Sequence, residues 1–347
     1  MSDEKRKNQR LQKAQTLRQT HETWSGTCGR APFWIVPDDI APYRPFLFCL
    51  ADESSKVLRT NTFEQEPSTN EIFAEVLHGI CRPMLGSGRA RRPKVLFLDN
   101  SDLVDALTPL LSDLGVRCEF RHSLPILKEL LYSMEKQINR REPIPGLLTI
   151  PSITKPFLGH LYELAADFYA ATPWYWLNDM NPIAICVTPD KEPRYAVVMG
   201  SGGEIFGLAV YDSLDDLLAI YDSSLSNQQL TKKSSTLVLF FEEARAMGFE
   251  DLDAMEANDW SVVDELGYPI FGRSTPSMEI RNPSKADLFW MEAALAGILK
   301  YLRKHTPVES FDWIPSDETI SVKLTGGKTQ TKLRFPDLNE LLSGHLD

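Results

Sequence analysis

Apolar positions in the first half of the chain alternate between short continuous runs and stripes with helical spacing. Runs at 46–50 and 57–63 predict two strands, and a capping box at 68–71 predicts the start of a helix. Runs at 94–98 and 116–120 predict two further strands, each followed by apolar residues at steps of three and four. The predicted order is strand, strand, helix, strand, helix, strand, helix.

A similar order recurs after the proline-rich joint at 143–145. A helical stripe comes first, and capping residues at Ser213 and Ser284 predict two later helices. The predicted strands fall at 183–187, 194–199, 205–211 and 237–241. Two passes through one element order indicate an internal duplication. The sequence therefore predicts an α/β (α+β) fold with two mixed-sheet lobes of similar element order.

The predicted domains follow the breaks in this pattern. Alternating residues on either side of the Gly326-Gly327 pair also predict a C-terminal β-hairpin. The four segments are a basic, partly helical or disordered arm (1–30), an N-terminal α/β lobe (31–142), a C-terminal α/β lobe (143–310), and the hairpin with its tail (311–347). We expect two homologous lobes to superpose and their junction to hold a ligand or a partner.

The glycine-rich stretch at 200–203 lies between two predicted strands. A phosphate-binding P-loop needs a lysine and a helix directly after the glycines, and a dinucleotide fingerprint must also open a helix. Here an apolar strand follows and no lysine is present. The stretch therefore predicts a bend in which Gly200, Gly202 and Gly203 take positive φ, and Gly207 predicts a bulge or a close packing contact.

Composition limits the class of protein. The 347 residues, 43% of them hydrophobic, suffice for about two domains with real cores, and the net charge of −11 disfavours non-specific binding to nucleic acid or an anionic membrane. Five scattered cysteines do not form a disulfide scaffold, so we expect a reducing compartment. Neither a signal peptide nor a membrane-spanning segment is predicted, and the expected location is cytoplasmic.

Basic residues are concentrated near the start of the chain. Lys5, Arg6, Lys7 and Arg10 fit a helical arm that binds nucleic acid or an acidic partner. A solvated, partly disordered tail explains the same residues, and basic runs at termini favour that interpretation.

Aromatic residues are concentrated at 174–176. Trp174 and Trp176 are candidates for stacking on a base, a sugar or an aromatic side chain of a peptide. Glu204, which follows the glycine bend, is a separate candidate for binding a partner, and a structural salt bridge is its favoured alternative. Packing of the rings in the core is the favoured alternative, because buried aromatic residues usually serve the core.

Catalytic motifs are missing from the chain. The sequence has no nucleophile elbow and no two-histidine metal pattern, and the His78–Cys81 pair is only half of a zinc spacing. No metal or cofactor is predicted. The remaining catalytic candidates are four carboxylates that a fold would have to bring together: Asp99, Asp179, Glu204 and Asp259.

Two short motifs carry a resemblance to a known family. The Trp-x-Trp-x-x-Asp motif at 174–179 and the Met-Gly-x-x-Gly-Glu motif at 199–204 resemble an uncharacterised bacterial domain-of-unknown-function family over about residues 155–300. The segment at 93–134 resembles the α/β part that often precedes it. The resemblance implies no established activity.

These observations favour a non-catalytic intracellular binding or protein-interaction module with a protein partner and no membrane. A hydrolase-type enzyme with a spatially assembled carboxylate site is the first alternative. A nucleic-acid-associated protein that uses the basic arm is the second.

Overall fold

The chain folds into two compact units. Unit 1 is Met1–Pro143 and unit 2 is Ile144–Asp347. The computed structural model describes residues 3–140, 142–221, 235–274, 280–305 and 317–336, together with positions 338 and 341.

Unit 1 is a five-stranded mixed sheet with helices on both faces. Its elements are α1 (Asp3–Thr16), β1 (Thr23–Arg30), β2 (Phe46–Asp52), β3 (Val57–Phe63), α2 (Thr69–Cys81), β4 (Val95–Leu98), α3 (Ser101–Ser112), β5 (Arg117–Phe120) and α4 (Pro125–Asn139). The strand order is β3-β2-β1-β4-β5, antiparallel at β3-β2-β1 and parallel at β1-β4-β5. Alternate residues of β2 enter opposite cores, so that Leu50 packs with α2 and α3 while Cys49 packs with Leu127 of α4.

The segment assigned to the arm holds the middle strand of this sheet. Thr23–Arg30 pairs with β2 on one side and β4 on the other, so the arm does not extend to residue 30. The strand contains several polar residues and two glycines, so it shows no apolar run that would predict a strand. Gly26 is packed closely, because a Cβ atom there would come within 3.0 Å of Leu98. Helix α1 lies at the start of this segment and buries Ala14 completely in the same core as α2.

Unit 2 is an eight-stranded sheet whose described strand pairs are all antiparallel. Its elements are α5 (Lys155–Ala170), β6 (Ile183–Val187), β7 (Arg194–Met199), β8 (Phe206–Tyr211), α6 (Leu214–Ala219), β9 (Leu237–Glu242), α7 (Phe249–Ala257), β10 (Tyr268–Ser274), β11 (Ile280–Arg281), α8 (Lys285–His305), β12 (Asp317–Leu324) and β13 (Gly327–Arg334). The strand order is β11-β10-β9-β8-β7-β6-β13-β12.

This topology corrects three details of the sequence prediction. The sheet of unit 2 is antiparallel and differs in strand order from that of unit 1, so the similar element order does not extend to a shared topology. Strand β10 occupies 268–274, where no strand was predicted, and the predicted C-terminal hairpin is part of the main sheet because β13 pairs with β6. The α/β class itself is confirmed.

The glycine bend joins β7 to β8 as a hairpin connection. The two strands are antiparallel, with Met199 opposite Gly207, which confirms the bend and excludes a helix after the glycines. Gly200 and Gly203 have positive φ (121° and 78°), whereas Gly202 does not, in contrast to the prediction. Gly207 makes the close contact that the sequence predicted, since a Cβ there would lie 2.1 Å from the Leu239 carbonyl oxygen.

Helix α8 packs against the sheet of unit 2 at close range. Gly297 lies opposite Thr331 of β13, where an added Cβ would come within 2.9 Å of the threonine side chain. The Thr331 hydroxyl donates a hydrogen bond to the Ala293 carbonyl at 3.3 Å. The small residue on the helix therefore sets how closely α8 approaches β13. No helix in the described ranges is both long and apolar enough to cross a membrane.

A network around Asp287 fixes the N-terminal end of α8. The buried Asp287 carboxylate accepts hydrogen bonds from Arg273, Arg194 and the capping residue Ser284, and Arg273 also binds Asp212 with two hydrogen bonds. Burial opposes the charge of Asp287, but these hydrogen bonds, above all from Arg273, hold its pKa below the ordinary range. The network ties β7, β10 and the end of β8 to the first turn of α8.

Replacement of Gly207 by alanine is expected to destabilise the protein. The added Cβ would meet backbone atoms of Leu239 and Phe240, which cannot rotate away, so we expect a loss of about 3 kcal/mol, the upper part of the overpacking range. Chemical unfolding of the full chain, followed by circular dichroism, measures the loss. Gly202→Ala is the control because its Cβ meets no atom within 4 Å. Equal stability of the two variants would contradict the close contact.

Candidate functional site

A buried carboxyl group lies at the centre of the candidate site in unit 2. Glu292, in the middle of α8, is completely buried. Its Oε1 atom accepts hydrogen bonds from the Thr325 amide at 2.9 Å and from the Thr325 hydroxyl at 2.7 Å. The same atom lies 2.6 Å from Nδ1 of His160 on α5. We call these three residues the Glu292 cluster; they connect α5, α8 and the β12–β13 turn.

The hydrogen bond orients the His160 ring. When Nδ1 donates to the carboxylate, the neutral ring keeps Nε2 as an acceptor, and the Glu292 carboxylate favours this tautomer. The side chain of His160 is 29% exposed, whereas that of Glu292 is 1% exposed. The cluster therefore presents one partly exposed imidazole held by a buried carboxyl group.

A cavity of about 400 Å³ borders Glu292, and we call it the α8 cavity. Its walls are the end of β6 with the turn after it, the first half of α8, and the β12–β13 turn. Within the described part of the chain, Glu292 Oε2 and Trp290 Nε1 are buried atoms without a hydrogen-bond partner. Buried polar groups are normally satisfied by a protein group or ordered water, so the two residues that carry these atoms make this cavity the candidate site.

Sequence analysis missed this cluster, although one signal was present. Glu292 lies four residues after Leu288 and three before Leu295, on the apolar face of α8. A carboxylate is rarely buried without a partner, so a charged residue on an apolar stripe is a recognisable marker. Its partners His160 and Thr325 are 132 and 33 residues away in the chain, and only the fold brings them together.

The four predicted catalytic carboxylates are all exposed. In unit 1, Asp99 accepts a hydrogen bond from the Thr27 hydroxyl at 2.9 Å. In unit 2, Asp179, Glu204 and Asp259 lie on three connections between elements of regular structure. In the described ranges no hydrogen bond or ion pair joins any of the four to another, and no group of three His, Cys, Asp or Glu residues is arranged to hold a metal ion. Their catalytic role stays a prediction.

One residue of the aromatic segment at 174–176, Trp174, is part of the core of unit 2. Trp174 is 6% exposed and packs against Phe206 and Tyr169, with ring centroids 4.6 and 5.4 Å away. Trp176 is half-buried, and Tyr175 between them is 67% exposed. Trp174 is thus positioned as a packing residue, while a binding role of Trp176 stays a prediction.

Two basic residues of the arm, Lys7 and Arg10, contact helix α2. The Lys7 ammonium group donates a hydrogen bond to Asn70 at 2.7 Å and lies 5.4 Å from the centroid of the Phe73 ring. The backbone carbonyl of Arg10 accepts a hydrogen bond from the Cys81 thiol. The side chains of Lys5 and Arg6 lie outside the described residues.

A second buried carboxyl group, that of Asp251, lies in the first turn of α7. It is 9% exposed and accepts a hydrogen bond from the Leu147 amide at 2.7 Å. Burial raises its pKa from 3.8 to about 7, an effect that the Leu147 hydrogen bond opposes and the Glu250 charge reinforces. The fully buried Tyr162 hydroxyl has no hydrogen-bond partner among the described residues, and burial followed by the Asp251 charge raises its pKa.

Two parts of this α/β chain are similar to domains of unknown function. Residues 159–319 match the model of a domain of unknown function (DUF7309). Residues 10–135 match the model of a second domain of unknown function (DUF6930). No curated protein matches the chain. The resemblance to families of unknown function is therefore confirmed, and the first match includes His160 and Glu292 but ends before Thr325.

Asp251→Asn is expected to change how stability depends on pH. The unfolded chain releases the Asp251 proton near pH 4 and the folded chain near pH 7, so the folded state binds more protons between these values and its stability falls as pH rises. The variant lacks this loss, and its stability relative to the wild type should grow from pH 4 to pH 7. Urea unfolding at a series of pH values measures the difference, with Asp259→Asn as an exposed control. A constant difference would contradict the raised pKa.

Thr325→Val is expected to weaken the Glu292 cluster. The valine has nearly the shape of threonine but cannot donate to the buried carboxyl group, which should cost about 1–3 kcal/mol of unfolding free energy. Thr325→Ser is the matched control because it keeps the hydroxyl group. Chemical unfolding of both variants tests the contact, and a serine variant that is as unstable as the valine variant would show that the methyl group matters instead.

Proposed function

We propose that unit 2 is a non-catalytic intracellular binding module and that the α8 cavity is its ligand site. One observation carries the proposal: Glu292 Oε2 and Trp290 Nε1 are buried without described partners on two residues that line the same cavity. Such atoms are costly when unsatisfied, at about 1–3 kcal/mol each. Binding that lets a ligand donate to Glu292 Oε2 and accept from Trp290 Nε1 would remove this cost.

The shape and lining of the cavity support binding of a small group. Its volume of about 400 Å³ is within the range of ligand sites, about 300–1,000 Å³. The lining combines aromatic residues, Phe289 and Trp290, with a few polar groups such as Thr188 and Thr329. This mixture is typical of sites in which apolar surface supplies affinity and polar atoms fix orientation. The group bound is either a free small molecule or a side chain of a protein partner.

For the alternative function, a hydrolase, the Glu292 cluster is a better candidate for the catalytic site than the four exposed carboxylates. A histidine whose Nδ1 is held by a buried carboxylate has the geometry of a general base, with Nε2 available to take a proton from water. A specific turnover that disappears in His160→Asn and persists in Glu163→Gln, on the same helix, would establish this alternative over simple binding.

Filling the cavity is expected to abolish binding. Ala286 lines the cavity from an exposed position in the first turn of α8, so Ala286→Trp should occupy the space without disturbing the core. Native mass spectrometry of the full chain, isolated gently from its host, should show an additional mass on the wild type and at least a tenfold lower occupancy on the variant.

The control is Ala170→Trp at the exposed C-terminal end of α5, which should retain the bound mass. Equal occupancy of Ala286→Trp and the wild type would contradict the assignment of the α8 cavity. A wild type that carries no additional mass and binds no member of a fragment library would contradict a binding function.

A further inference from the structure

The charges around the α8 cavity indicate which ligands it prefers. Among the described lining residues, Asp190 and Glu292 are carboxylates and Lys328 is a cation. With Asp190 and Lys328 exposed, water screens these two charges, whereas Glu292 is completely buried. Of these three groups, the buried carboxyl group of Glu292 is therefore the one that water screens least.

The hydrogen bonds of Glu292 leave its negative charge unevenly compensated. All three donors, two from Thr325 and one from His160, converge on Oε1, and Oε2 has no described partner. In the low-dielectric interior a charge acts over a longer distance than in water. The wall formed by Glu292 therefore favours a positive charge in the cavity even without direct contact.

The aromatic wall is compatible with such a cation. Phe289 and Trp290 line the cavity, and their ring faces attract cations electrostatically. Each ring already has a protein cation near one face, with Lys285 at 5.4 Å from Phe289 and Arg194 at 5.0 Å from Trp290. Arg194 is balanced by Asp287, to which it donates at 3.0 Å. The rings thus supply apolar contact, and the carboxylates supply the charge preference.

We propose that the α8 cavity binds a primary ammonium group carried on a short apolar chain, either on a free amine or on a lysine side chain of a protein partner. This proposal rests on the proposed function, because it names the chemical class of the ligand for the same site. The apolar chain lies along Phe289 and Leu324, and the ammonium group lies toward Glu292 and Asp190.

Three probes of equal length and different charge test the ligand class. n-Butylammonium, 1-butanol and butyrate are titrated separately into the full chain at pH 7, with binding followed by NMR. We expect butylammonium to bind at least tenfold more tightly than butanol, a difference of about 1.4 kcal/mol, and butyrate to bind most weakly. A lysine-containing tripeptide with blocked ends distinguishes the two sources: a higher affinity than butylammonium indicates a protein partner, and a lower one indicates a free amine.

Charge-removing variants of the cavity lining test the proposal, because removal of a negative charge and removal of a positive charge should change the affinity in opposite directions. Asp190→Asn and Glu292→Gln each remove a negative charge and should weaken butylammonium binding about three- to tenfold. Lys328→Gln removes a positive charge and should strengthen it about threefold. Asp190 and Lys328 are exposed, so their variants remain informative if Glu292→Gln fails to fold. Glu163→Gln, an exposed carboxylate outside the cavity lining, should leave the affinity unchanged.

The outcomes separate this proposal from the proposed function. Equal binding of the three probes, no binding of butylammonium, or weaker binding in Lys328→Gln overturns the ammonium preference. If an endogenous ligand is nevertheless lost in Ala286→Trp, the cavity remains a binding site for another class. If Ala286→Trp also retains that ligand, both proposals fail.

Discussion

The buried ion-pair network of Asp287 is the constraint on which the candidate site depends. Arg273 and Arg194 bring the cations of β10 and β7 to one carboxylate at the start of α8. The Ser284 hydroxyl caps the helix by accepting a hydrogen bond from the Asp287 amide, and it donates one to Asp287 Oδ2. A buried pair of this kind specifies geometry more than it adds stability, because desolvation offsets much of its attraction. The Asp287 network fixes the N-terminal end of α8, and the residues of α8 that line the cavity start at that end.

The rest of the site follows from the close packing of α8 on the sheet. Gly297 lets the helix approach β13, and Glu292, five residues earlier, faces inward between α5 and the β12–β13 turn. The carboxyl group would be costly in an apolar core, and its hydrogen bonds to Thr325 and His160 reduce that cost. The proposed site in unit 2 thus depends on a buried position at which an apolar residue such as leucine would be usual.

Local patterns predicted the elements well where the pattern itself was strong. The capping box at Ser68 is present, and the bend at 200–203 joins two strands because an apolar strand follows the glycines. Predictions were wrong where tertiary contacts override local preference. Polar Thr23–Arg30 is a central strand because both neighbouring strands pair with it, and Gly202 lacks the positive φ that composition suggested.

The sequence by itself determined the α/β class, most of the helices and strands, and the absence of a phosphate-binding loop at the glycine bend, because these depend on residues close together in the chain. Only the tertiary structure decided which strands are neighbours and which side chains form the site. Glu292, His160 and Thr325 are joined by hydrogen bonds shorter than 3 Å across up to 132 residues, and local periodicity carries no information about such pairings. The carboxylates that stood out in sequence lie in exposed connections, where hydration makes a buried protein partner unnecessary.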